Sequence, residues 1–203
     1  MKRSFKESQA KLFAIAQSQG GFFTAKQAES AGFASSHHGY HVQAGNWEHE
    51  YRGVFRLAHY PLGDRPDLIR WSLWSRDIED RPQGIYSHQT ALEIYDLSDV
   101  MPSKLHMTVP RSFRRSAAIP GGLVLHYADL SAEDFVAREG YRVTRPIRAI
   151  FDLSKARLVS DDILIQAFSE GKAQGFITES DIEKYRKELP DFLLHVRQPL
   201  QPA

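Results

Sequence analysis

The sequence predicts an α+β protein in two parts, and three observations carry that expectation. The first 60 residues run through helix, short helix, glycine-containing turn, short helix and hairpin. After a proline- and glycine-rich stretch, helical and strand periodicities alternate to the end of the chain. Charge is uneven as well. Residues 1–60 carry seven Lys/Arg against four Asp/Glu, so the amino-terminal third is the one basic part of a chain whose net charge is +1.

The elements follow in order. Leu12, Ile15 and Ala16 fall at helical spacing behind Phe5 and Ala10, which predicts a helix over 4–18 that ends at Gly20 and Gly21. Thr24 is placed to cap a short helix reaching Ala31, with Gly32 as its stop. Ser35 and Ser36 are capping candidates for the next helix, which Gly45 closes. "GNWEHEYRGVFRLA" then reads as a hairpin. Trp47, Val54, Phe55 and Leu57 give its flanks strand character, and Arg52 and Gly53 form the tip. This order is that of a winged helix-turn-helix, with the hairpin as the wing.

"AHYPLGDRPD" has the composition of a linker, which sets the expected domains at 1–60 and 66–203. Beyond it, "DLIRWSLWSRD" reads as a helix anchored by Leu68, Trp71, Leu73 and Trp74. Ser87 opens another helix, with Leu92 and Tyr95 at helical spacing. "SKLHMTVP" alternates Leu105, Met107 and Val109 against Lys104, His106 and Thr108, a half-buried strand that Pro110 ends. "GLVLHYADL" reads as a second strand, joined to the first by "RSFRRSAAIPG". "YRVTRPIRAIFDLS" reads as a strand running into a helix after Thr144, with Pro146 in its first turn. Two further helices are expected in "DDILIQAFSEGKAQG" and "TESDIEKYRKEL", and a frayed tail in "VRQPLQPA".

Composition narrows the chemistry. The chain of 203 residues has no cysteine, which excludes a disulfide framework, a thiolate nucleophile and a cysteine zinc site, and fits a cytoplasmic location. The basic amino terminus lacks the apolar run of a signal peptide, and no stretch approaches the ~20 apolar residues of a membrane span.

In a helix-turn-helix the second helix enters the major groove. Here that helix offers Ser35, Ser36, His37, Tyr40 and Gln43 for base edges, with Lys26 placed for phosphate and Arg52 for backbone or minor groove. It carries no Lys or Arg, so its groups can read bases while adding little electrostatic affinity. The same module could instead hold a partner protein. His37 and His41 share a helical spacing that suits a metal, yet no HExxH and no third ligand accompany them. Histidines that pack the helix or read bases are the simpler account. Arg111, Arg114 and Arg115 form a second basic run, either a phosphate-contacting patch, a surface for an acidic partner or a solvated loop. No GxSxG, GxGxxG or GxxxxGK[ST] is present, "SDIEKY" is helical rather than a sheet-edge nuclease cluster, and Ser87 beside His88 is no triad. No enzyme and no cofactor are expected.

Four stretches, "GNWEHEYRGVFRLAHYP", "GIYSHQTALEIYDLSDVMPSKLHMTVPRSFRR", "LVLHYADL" and "GYRVTRPIRAIFDL", occur in order between Gly20 and Asp152. Together they resemble the AbiEi family, the antitoxins of type IV toxin–antitoxin (abortive infection) systems. The resemblance implies an amino-terminal domain that binds inverted repeats in its own promoter as a repressor; a homodimer on the DNA is the expectation that goes with such a two-fold site. It also implies a carboxy-terminal domain that opposes a nucleotidyltransferase-like toxin without a stable complex. By position, the recognition helix maps to Ser35–Ala44, the wing to Trp47–Leu57, and the antitoxin part to Pro66 onward. The region after Ser154 matches least.

Overall fold

The computed structural model describes residues 4–115 and 118–196. The chain is a mixed α+β protein with a three-stranded and a five-stranded sheet, and it divides into two compact units. Unit 1 comprises residues 1–84 with 137–142; unit 2 comprises 85–136 and 143–203.

Unit 1 opens with α1 (Phe5–Gln17), capped by Ser4, whose hydroxyl accepts from Glu7 N while the Glu7 carboxylate accepts from Ser4 N. β1 (Phe22–Thr24) follows, then α2 (Ala25–Ala31), where Thr24 and Gln27 form the same reciprocal cap. Gly32 ends α2 at φ +112°, a conformation open to glycine and costly to other residues. A 3₁₀ turn (Ser35–His37) leads into α3 (His38–Gln43). β2 (Trp47–Tyr51) and β3 (Val54–Leu57) then pair antiparallel around the tip Arg52–Gly53, with Gly53 at φ +73°. β1 adds to the far side of β3, giving the sheet order β1-β3-β2. Helix, strand, helix, helix and hairpin thus follow in winged-helix order.

The core under this module is aromatic. Leu12 and Ala16 of α1, Ala28 and Ala31 of α2, Phe23, Phe33, Trp47 and Phe55 are all buried together. Trp47 is its centre, with Phe23, Phe33, His41 and Phe55 all against its ring. The hairpin leans on α1 and α3 through this ring.

α4 (Pro66–Trp74) corrects the expected domain boundary. Its Leu73 packs with Phe22 and Val54, and its Trp71 meets Tyr51 edge-on at 5.0 Å. The chain bends at Asp64 ahead of α4, and the helix folds back onto the wing's sheet. The break between units therefore falls after Gly84, not between 60 and 66.

Unit 2 holds a sheet of order β6-β5-β4-β8-β7. Its strands are β4 (Ile85–Tyr86), β5 (Leu105–Val109), β6 (Leu123–Tyr127), β7 (Phe135–Arg138) and β8 (Tyr141–Thr144); residues 137–142, at the β7–β8 turn, group with unit 1. β4 is antiparallel to β5 and parallel to β8, and β5 and β6 are parallel despite a connection with no helix among its described residues. A single residue, Ser87, joins β4 to α5 (His88–Ile94), and a single residue, Arg145, joins β8 to α6 (Pro146–Ala156), which starts at Pro146. α7 (Asp161–Ala173), α8 (Glu179–Tyr185) and α9 (Asp191–Leu194) complete the unit. The expectation of a frayed tail falls largely on residues 197–203, outside the described residues.

Candidate nucleic-acid interface

The 3₁₀ turn and α3 divide sharply into two faces. Ser35, Ser36, His37, Tyr40 and Gln43 are exposed, and Tyr40 keeps 66% of its surface in solvent. His38 and His41 point the other way and are buried. His38 Nε2 lies 3.0 Å from the carbonyl of Phe33, and the His41 ring stacks on Trp47 at 4.6 Å. Burial, and the nearby His37 and His38, lower the pKa of His41, which suits an imidazole held neutral in an aromatic core.

Two expectations change here. Ser35 and Ser36 do not cap: Ala34 is the residue before the 3₁₀ turn, and neither start carries a side-chain cap. Their hydroxyls stay on the surface, where an external partner can reach them. His37 and His41 do not share a face, because the 3₁₀ turn shifts His37 out of α-helical phase. Among the described residues no group of three or more His, Asp or Glu side chains is placed to hold a metal ion.

Arg52 sits exposed at the wing tip. The carbonyl of its neighbour Gly53 accepts from Ala25 N at 3.0 Å, which ties the tip to the start of α2. Lys26, in the first turn of α2, is exposed but donates to the carbonyl of Ile78 at 2.6 Å, so one of its three protons is already used.

Behind the tip lies an ion network. The register slips between His49 and Tyr51, leaving Glu50 as a bulged residue. Glu50 accepts from Arg56 Nε at 2.9 Å and from Arg70 Nη2 at 2.6 Å, while Glu48, opposite Arg56 in the ladder, pairs with the same guanidinium. Arg56 is buried, so it braces the hairpin and is no contact for a polyanion. Arg52 is therefore the wing's available cation among the described residues.

The basic run of unit 2 separates. Arg114 folds onto its own loop, with Nη1 donating to the carbonyls of Arg111 and Phe113 at 2.8 Å each. Arg115 is exposed, and Arg111 turns to a polar cavity beside β5, β6 and α6. That cavity, whose imidazoles come from His88 and His126, was not anticipated from the sequence. The signal was present: His106 and Thr108 alternate along one strand and His126 along the next, and parallel register brings these polar sets to one face.

A crystal structure of the RV2827C protein from Mycobacterium tuberculosis shares this architecture, with a TM-score of 0.55 at 11% sequence identity, over 95% of this chain and 75% of that one. At that identity the likeness shows the fold. No protein-family model matches the chain, and no curated protein sequence matches it.

Proposed function

We propose that the chain is a DNA-binding antitoxin and autorepressor, whose winged unit reads inverted repeats in its own promoter. The observation that supports this reading is the division of α3. With the 3₁₀ turn before it, it presents the hydroxyls of Ser35 and Ser36, the imidazole of His37, the phenol of Tyr40 and the amide of Gln43 to the outside, while His38 and His41 are packed inside; Arg52 is exposed at the wing tip. Hydroxyl and amide groups at a helix surface match base-edge donors and acceptors in the major groove. A guanidinium at the wing tip matches phosphate or a narrow minor groove. Unit 2 would then oppose a nucleotidyltransferase-like toxin in the cytoplasm without a stable complex, as the AbiEi resemblance implies. Duplex DNA bound by two copies is the natural target of a single winged module on an inverted repeat.

A second reading, in which the winged module and the arginine loop hold a partner protein, is favoured by one observation. The 3₁₀ turn and α3 carry no Lys or Arg, so they contribute little counterion release. A gel-shift titration on the chain's own promoter, repeated at rising salt, separates the two. Repression requires a preference for that promoter over random DNA and a loss of affinity with salt. If the wild-type chain shows no such preference, the repressor reading fails.

A further inference from the structure

The polar cavity of unit 2 is built from three sources. β5 and β6 supply Thr108 and His126, which face each other in the parallel register, with His106 on the same face two residues before Thr108. The start of α5 supplies His88. α6 supplies Arg148, Phe151, Asp152 and Lys155, spaced to share one helix face. Arg111 closes the rim, and the volume is about 490 Å³, the size of a small-molecule site.

The imidazoles are ordered. His88 stacks on His126 with centroids 3.6 Å apart, and His106 Nδ1 lies 3.0 Å from His126 Nε2. His88 is held at φ +54°, a strained backbone for a residue with a side chain. Its Nδ1 lies 2.9 Å from Ser87 Oγ, which itself accepts from Thr108 Oγ1 at 2.7 Å. With Thr108 donating to Ser87, the Ser87 proton is left for His88 Nδ1. The neutral His88 then carries its own proton on Nε2 and is a donor there. Stacked rings of this kind do not converge on one metal ion.

Charge at the cavity favours an anion. Asp152 is occupied by Arg148, whose Nε donates to both carboxylate oxygens at 3.1 and 3.0 Å, and Asp129 accepts from the backbone N–H of Arg111. Among the described residues neither Arg111 nor Lys155 forms an ion pair within 4.0 Å of a carboxylate; Lys155 acts on Asp152 through its charge alone, and its Nζ rests 5.6 Å from the Phe151 ring. Two cations without an ion-pair partner in contact and an imidazole donor therefore line one space.

We propose that this cavity binds a phosphorylated small molecule, with Arg111, Lys155 and His88 gripping the phosphate group and the remaining volume taking the rest of the ligand. The inference is independent of the DNA reading of unit 1. Burial holds His88 at about 3 and His106 at about 4, so both rings stay uncharged, and His88 acts as a hydrogen-bond donor to the ligand rather than as a fixed positive charge.

The test uses the full chain and follows the imidazole resonances of His88 and His126 in proton–carbon correlation spectra near neutral pH. Three probes are added separately: inorganic phosphate, a nucleoside 5′-monophosphate and a promoter-length DNA duplex. The expected result is saturable shifts of both rings with inorganic phosphate, tighter with the monophosphate. Arg111→Ala and Lys155→Ala, both at exposed positions, should each weaken binding by about tenfold, since charge-assisted contacts to phosphate are the strong ones. Linear shifts that never saturate, or binding indifferent to both variants, would overturn the proposal. So would shifts produced by the duplex alone, which would make the site a backbone-contacting patch.

Discussion

Glu50 is the residue on which the wing's position depends, and Glu50→Gln isolates its charge. Its carboxylate accepts from the buried Arg56 and, through two hydrogen bonds at 3.1 and 2.6 Å, from Arg70. The Glu50 side chain is only 12% exposed, so solvent does little to replace what is lost. Charge-assisted hydrogen bonds contribute about 1.5–3 kcal/mol each, and removing one partner of a buried pair costs roughly 3–5 kcal/mol. Glutamine keeps one acceptor, and Arg56 keeps Glu48, which is half exposed. The expected loss is therefore about 2–3 kcal/mol, or roughly 10–20 °C in the melting temperature of a unit this size. The assay is convenient because the chain's three tryptophans, Trp47, Trp71 and Trp74, all lie in unit 1, so intrinsic fluorescence reports that unit alone. Adding Arg56→Met should recover part of the loss, since an apolar replacement leaves no unpaired buried charge. A single-variant shift below about 3 °C would show that the network does not brace the hairpin.

Other outcomes follow from the same structure. Gly32→Ala puts a Cβ 2.5 Å from Ser8 Oγ at a φ of +112°, so it should destabilise unit 1 by about 1–3 kcal/mol in the same fluorescence melt. Arg52→Ala should leave that melt unchanged while weakening DNA binding severalfold and lowering the salt slope by about one. Gln43→Ala should instead relax sequence preference, costing about 1–3 kcal/mol on the preferred site only. Unit 2 should lose stability in acid. His88 and His106 are held at about 3 and about 4, below the ~6.5 of an unfolded chain, so the unfolded state takes up protons first. Stability is full above about pH 6.5 and falls as pH drops toward those folded values. Hydrogen exchange in α5 and β5, corrected for intrinsic rates, should accelerate between about pH 7 and 5; unchanged protection would contradict the placement of these rings.

Local signals made most elements legible. Thr24, Gly32, Gly53 and Pro146 each mark an element boundary by a backbone requirement that acts within a few residues, and each stands where the sequence places it. The outward set on the 3₁₀ turn and α3 was legible for the same reason, since helical phase alone separates Tyr40 from His41. What failed was non-local. β1 and β4 have three and two residues, too short for periodicity, and exist because β3 and β5 offer them a ladder. α4 looked like the start of a second domain because Leu73's partners, Phe22 and Val54, are distant in sequence. His106 and Thr108 read as a solvent face, yet Thr108 is 2% exposed because α5 packs over β5. No single stretch shows that His88, His106 and His126 meet.

The measurement that bears most directly on the proposed function is fluorescence anisotropy of the chain's own promoter fragment against a scrambled duplex of equal length, titrated in parallel at several salt concentrations. The account predicts a preference for the promoter of at least about 100-fold, with Arg52→Ala weakening both duplexes alike. Equal affinity for the two duplexes at every salt concentration would contradict it.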